Sequence, residues 1–130
     1  KTRRAMAGLA QLIDRPDIIL TSPKRRAAQT AQIAATALTT SVLSLDVLAS
    51  GGAQQVIDEL SRRDDERVVA VGHEPTFSEI VELLCFGQTT SSVELKKAGC
   101  ACLQTHGKVL VGHGSLQWLV TPKMLRQLGK

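Results

Sequence analysis

The chain has 130 residues, enough for one domain around one hydrophobic core. Its 16 Lys and Arg against 12 Asp and Glu leave a formal charge of +4, a mild excess that suits an anionic ligand without defining one. Two Phe, one Trp and no Tyr provide no stacking platform for bases, and no apolar run of about 18 residues exists to cross a membrane, so neither nucleic acid nor membrane is expected as a partner.

The opening stretch KTRRAMAGLAQLI places Ala5, Met6, Leu9, Leu12 and Ile13 on one stripe, which predicts a helix over 2–13. It is too polar for a secretory leader and has no cleavage site. Asp14 to Asp17, with Pro16, end that helix, and IIL at 18–20 predicts a short buried strand. Ser22-Pro23 reads as a helix start, a Ser cap with Pro at the first helical position. The helix runs to Leu38, with Ala27, Ala31, Ala34 and Leu38 inward. A strand over 42–47, a Gly51-Gly52 turn and a helix over 53–62 follow, the last with Val56, Ile57 and Leu60 inward.

VVAV at 68–71 is another wholly apolar strand. It leads through Gly72-His73-Glu74-Pro75 into a helix over 76–84, where Phe77, Ile80, Val81 and Leu84 recur at helical spacing. Beyond Thr90 the pattern changes. Runs at 97–104, 108–111 and 116–120, the first two separated by THGK, predict antiparallel additions at one side of the sheet. TPKMLRQL then starts a last short helix. Apolar strands alternating with helices define the expected fold class: a single α/β domain over 1–130, three-layered α/β/α, with a mainly parallel sheet and antiparallel additions at the C-terminal side.

Three cysteines, Cys85, Cys100 and Cys102, are an odd number without a visible leader, which points to a reduced, cytoplasmic compartment. Cys100 and Cys102 with His106 match no zinc spacing and read as small core residues.

Ligands of an open parallel sheet bind at the carboxyl ends of its strands. Arg26, in the first turn of the helix after strand 18–20, leans back toward that edge. A cation there opposes the helix macrodipole, which favours anions, so the position calls for a function. His73 follows strand 68–71 directly and precedes a second helix start. An arginine fork, a histidine and two helix N-termini facing one crevice make a site for a phosphoryl group. Lys24 and Arg25 read as solvent-facing, and His106 and His113 as surface residues of turns, although V-G-H occurs at both 71–73 and 111–113.

SPKRRAAQTAQIA at 22–34, followed by VVAVGHEPTFSEIVELL at 68–84, resembles the histidine phosphatase superfamily, and within it the SixA-type phosphohistidine phosphatases. LASGG at 48–52, ELKKAG at 94–99 and WLVTPKML at 118–125 are similar to SixA-type sequences as well, so the resemblance covers nearly the whole chain. It implies a phosphoglycerate-mutase-like fold, with Arg26 as phosphate-binding arginine and His73 as second catalytic and phosphate-binding histidine. The family also has an R-H-G strand carrying its nucleophilic histidine. No R-H-G occurs in these 130 residues, so the resemblance implies that they belong to a longer polypeptide, trimmed at its N-terminus.

The implied activity is metal-independent phosphatase chemistry through a phosphohistidine enzyme intermediate, with no cofactor. The implied partner is a phosphorylated protein. A small phosphoester is the alternative, and a non-catalytic phosphate-binding module is the reading should the polypeptide begin at Lys1. Ser22, Glu74 and Asp46 are supporting candidates, Asp46 as the one acidic residue near the end of strand 42–47, after which relatives place a general acid.

Overall fold

Ile19 and Leu20 are neighbours on one strand, both fully buried, and they face opposite sides of a parallel sheet. The computed structural model describes all residues, Lys1–Lys130. In chain order the elements are α1 (Thr2–Leu12), β1 (Ile18–Thr21), α2 (Arg25–Leu38), β2 (Val42–Ser44), α3 (Val47–Ser50), α4 (Ala53–Ser61), β3 (Val68–Val71), α5 (Thr76–Phe86), β4 (Cys100–Thr105), β5 (Gly114–Val120) and α6 (Pro122–Leu128).

The sheet order is β2-β1-β3, with both pairings parallel. On one face Ile19 meets Ala5, Met6 and Leu9 of α1, Ala31, Ala34 and Leu38 of α2, and Leu125 of α6. On the other, Leu20 meets Val56 and Ile57 of α4 and Ile80 and Leu84 of α5. Burying each of these large side chains is worth about 1.5–3 kcal/mol. Small residues allow close approach: a Cβ on Gly8 would overlap the backbone carbonyl of Leu125, so α1 and α6 touch through bare backbone there.

β4 and β5 form a separate antiparallel pair, from Cys100↔Val120 to Thr105↔Gly114, with a register irregularity between Cys102 and Leu103. No ladder joins the two sheets. Both still feed the same cores: Val69 and Val71 of β3 and Cys100, Trp118 and Val120 of the hairpin pack against the first. Since β3 pairs only with β1, and β4 only with β5, each keeps one edge with no strand beside it. The burial follows. β1, paired on both sides, buries three of its four residues, whereas all four apolar residues of β3 are only half-buried.

The fold class holds, as a parallel sheet between helical layers with an antiparallel pair at the C-terminal side. Four local expectations change. Helix α2 begins at Arg25, because Ser22 turns inward and Lys24 takes the cap position. The strand expected over 42–47 stops at Ser44, and 47–50 coil into α3. Residues 108–111 are not a strand: Gly112 adopts φ +80°, and its N–H donates to the Leu83 carbonyl (3.0 Å), which holds 106–113 as a loop against α5. The hairpin joins the first sheet through shared cores rather than through hydrogen bonds.

Candidate active site

The Ser22 N–H donates to the Val71 carbonyl (2.9 Å), which carries the β1–β3 ladder one residue past the strand ends. This brings the two following turns together. Ser22 is fully buried. Its Oγ accepts from the Lys24 N–H (3.1 Å) and lies 2.8 Å from His73 Nε2. The Thr21 hydroxyl donates to the Ser22 carbonyl (3.0 Å), fixing the backbone behind it. A residue that reads from sequence as a helix cap therefore tethers the imidazole.

His73 is half-buried, and its carbonyl accepts from the Phe77 N–H (3.1 Å) at the start of α5. Gly72 is required by close approach, since a Cβ there would run into the Phe77 ring. Glu74 does not orient the imidazole. Its exposed carboxylate accepts from the Ser78 N–H (3.0 Å) and from the Ser78 hydroxyl, so it caps α5 from outside the helix. The Glu74–Pro75 peptide is cis.

Arg26 is the second residue of α2, at the carboxyl end of β1. It is exposed and enters none of the chain's ion pairs, leaving its guanidinium available to an anion beside the helix N-terminus. Lys24 and Arg25 are exposed with it, as expected. Asp46 is exposed at the start of α3, beyond the outer strand β2, and makes no side-chain cap bond. The Leu45 N–H donates to the Thr21 carbonyl (2.9 Å), so Asp46 follows β2 at the same end of the sheet, with no hydrogen bond from its carboxylate to Ser22 or His73. The structure thus brings His73, Ser22 and Arg26 to two adjacent strand ends, and holds the Glu74 carboxylate on Ser78.

The other histidines sit at the far end of α5. The His106 N–H donates to the His113 carbonyl (3.0 Å), and His106 Nε2 lies 3.3 Å from Ser115 Oγ, in the loop bonded to Leu83. Both are exposed. The cysteines offer no alternative nucleophile. Burial, with the neighbouring Cys102 adding to it, pushes the Cys100 thiol up to about 11, and burial raises Cys85 and Cys102 too. Thiols in that condition are poor nucleophiles at neutral pH. No group of three or more His, Cys, Asp or Glu is arranged to hold a metal ion. No helix is long and apolar enough to cross a membrane.

Nothing in the sequence marks Glu82. It falls on α5 between inward residues, and no local motif announces that a buried carboxylate belongs there.

A parallel sheet between helices with an antiparallel pair at one side is a phosphoglycerate-mutase-like architecture. A crystal structure from Agrobacterium tumefaciens, of a protein provisionally named as the phosphohistidine phosphatase SixA, superposes with a TM-score of 0.75 over 93% of this chain and 78% of that one, at 20% identity. A protein from Nakamurella multipartitia with the same provisional name gives 0.74 over 92% and 81%, at 25% identity. An uncharacterized protein of Picosynechococcus is 36% identical over 114 residues, covering 82% of this chain and 69% of its own length. No family model matches the chain. The fold is the SixA-type fold of the histidine phosphatase superfamily, and the chain belongs to one family with the Picosynechococcus protein.

Proposed function

We propose that this chain is the larger part of a phosphohistidine phosphatase that removes phosphate from a phosphorylated protein. The observation that carries the reading is the junction at the carboxyl ends of β1 and β3, where buried Ser22 holds His73 at 2.8 Å and Arg26 stands unpaired on the adjoining helix start. The similarity to two proteins named as SixA phosphohistidine phosphatases supports the same reading.

In this reading the nucleophilic histidine lies on an R-H-G segment before Lys1 in a longer polypeptide. The open edges of β3 and β4, with the half-buried apolar residues of β3, support a strand seated between them. The nucleophile's ring nitrogen attacks phosphorus. A new P–N bond forms as the P–N bond of the substrate breaks, and the departing imidazole takes up a proton. Water then attacks the phosphoenzyme, releasing inorganic phosphate and restoring the histidine. Arg26 and His73 bind the equatorial oxygens, where charge gathers in the transition state. The reading calls for no metal or cofactor. The longest connection between elements, 87–99, runs along α5, so no insertion is left to close a lid over a small molecule, which favours a protein substrate over a small phosphoester.

The test uses the full-length natural polypeptide with a histidine-phosphorylated protein. The expected result is release of inorganic phosphate with an acid-labile phosphoenzyme, and losses on the order of 10²–10³ in kcat for both Arg26→Ala and His73→Ala. No turnover, or turnover untouched in both variants, overturns the reading.

A further inference from the structure

Glu82 faces inward from the middle of α5, with 2% of its surface exposed. Its carboxylate accepts four consecutive backbone N–H groups: Oε1 from Thr90 (2.6 Å) and Ser91 (3.0 Å), Oε2 from Ser92 (2.6 Å) and Val93 (2.7 Å). Residues 90–93 belong to no helix or strand, yet one side chain fixes them all. The segment then continues toward the start of α5, where the Leu95 N–H donates to Ser78 Oγ (3.0 Å). Ser78 is itself bonded to Glu74, the residue after His73. A last turn, Gly99 N–H to the Lys96 carbonyl (2.7 Å), closes the segment before β4.

Residues 90–97 are therefore a strap that climbs α5 from its middle to the carboxyl end of β3. It delivers Lys96 and Lys97 there, both exposed. Across the site, exposed Lys24, Arg25 and Arg26 open α2. Of the acids at this end, Glu74 is bonded to Ser78, Glu94 pairs with Lys96 itself at 3.3 Å on the exposed surface, and Glu79 and Asp46 are exposed. The amino end of the sheet mixes both signs, with Asp14, Asp17, Glu59, Asp64, Asp65 and Glu66 beside Arg62, Arg63 and Arg67. Five exposed basic residues, Lys24, Arg25, Arg26, Lys96 and Lys97, thus stand at the carboxyl end.

We infer that the strap is a docking wall: Lys96 and Lys97, facing Lys24 and Arg25, recognise acidic side chains that flank the phosphorylated residue of the substrate. The inference rests on the phosphatase reading above and adds the charge chemistry of its substrate. The hydrogen bonds of the Glu82 carboxylate all go to the strap, so it is a positioning residue. Exposed lysines contribute weakly one at a time, and act together only when the backbone that carries them is already fixed. Four hydrogen bonds to one carboxylate supply that rigidity.

The test uses the full-length polypeptide and two synthetic peptides, each phosphorylated on one histidine with phosphoramidate, one flanked by Glu and the other by Gln. At low salt kcat/KM favours the Glu-flanked peptide by about tenfold or more, and the preference fades as salt approaches about 0.5 M. In Lys96→Glu/Lys97→Glu the preference disappears or inverts through KM, while KM for the Gln-flanked peptide rises less than for the Glu-flanked one. Glu82→Gln loses the preference in the same way. Should that variant fail to fold, the double lysine variant decides alone, since both side chains are exposed. A preference that survives the lysine reversal overturns the docking wall and leaves the phosphatase reading standing. Turnover of neither peptide by the wild type overturns both.

Discussion

Ser22 and His73 are 51 residues apart in sequence and 2.8 Å apart in space, joined by one hydroxyl. Ser22 Oγ already accepts from Lys24 N–H, which leaves one lone pair and its own proton for the imidazole. The hydroxyl donates to Nε2 when that nitrogen is bare and accepts from it when it carries a proton. A carboxylate in its place would favour the imidazolium alone. In either case the serine holds the ring in position.

Ser22→Ala should therefore loosen His73 without removing it. The expected effect is about a tenfold fall in kcat with KM nearly unchanged. Stability should fall by about 1 kcal/mol, because Lys24 N–H loses its acceptor. Steady-state kinetics and urea unfolding of the same preparation check both. An unchanged kcat would mean that the tether plays no part in turnover.

Arg26 separates function from folding more sharply. The side chain is exposed and enters no ion pair, so Arg26→Ala should leave the unfolding midpoint where it is while kcat/KM falls on the order of 10²-fold or more. Arg26→Lys keeps the charge but loses the planar fork, and its rate should lie between the two. A lysine variant as active as the wild type would argue for a point charge and against bidentate binding.

Glu82 gives the strap a pH dependence with a definite sign. Backbone N–H groups, Val93 and Thr90 foremost, lower its carboxyl from 4.5 to about 2, against the opposing effect of burial. A depressed carboxyl stabilises fully above its unfolded value and loses that contribution as pH falls through its folded value. Hydrogen exchange at the amides of Thr90 to Val93 should thus be slow at pH 5 and quicken as pH falls from 4.5 toward 2 relative to intrinsic rates. In Glu82→Gln the protection should be weak at both ends of that range. Equal protection in wild type and variant would show that the strap is held by something else.

The helix contact at Gly8 is a test of packing. Gly8→Ala places a methyl group against the Leu125 carbonyl, and the helices must part to admit it. The expected cost is about 1–3 kcal/mol, read as a lower urea midpoint with an unchanged m-value. Ala at this position would favour a helix on propensity alone, so stabilisation would show that the contact yields easily.

What the sequence makes legible follows from how local each cause is. IILT and VVAV announce themselves as strands because both faces are covered and no alternation is needed. The onset of α2 is less visible: Ser22-Pro23 has the chemistry of a cap, but a histidine far along the chain draws the hydroxyl inward. KVLV at 108–111 has strand composition, yet Gly112 and its bond to Leu83 hold it off any ladder. For the site, Arg26 and His73 stand in motifs next to their strands, whereas Glu82 owes its burial to four amides of a segment with no periodicity.

The contact between α1 and α6 also sets an order of events. Ala5, Met6 and Leu9 wait for Leu125, which is made almost the whole length of the chain later. Contacts of such separation form slowly in any folding chain. During synthesis the part of the α1 stripe that α2 does not cover stays exposed until α6, seven residues long, has emerged from the ribosome.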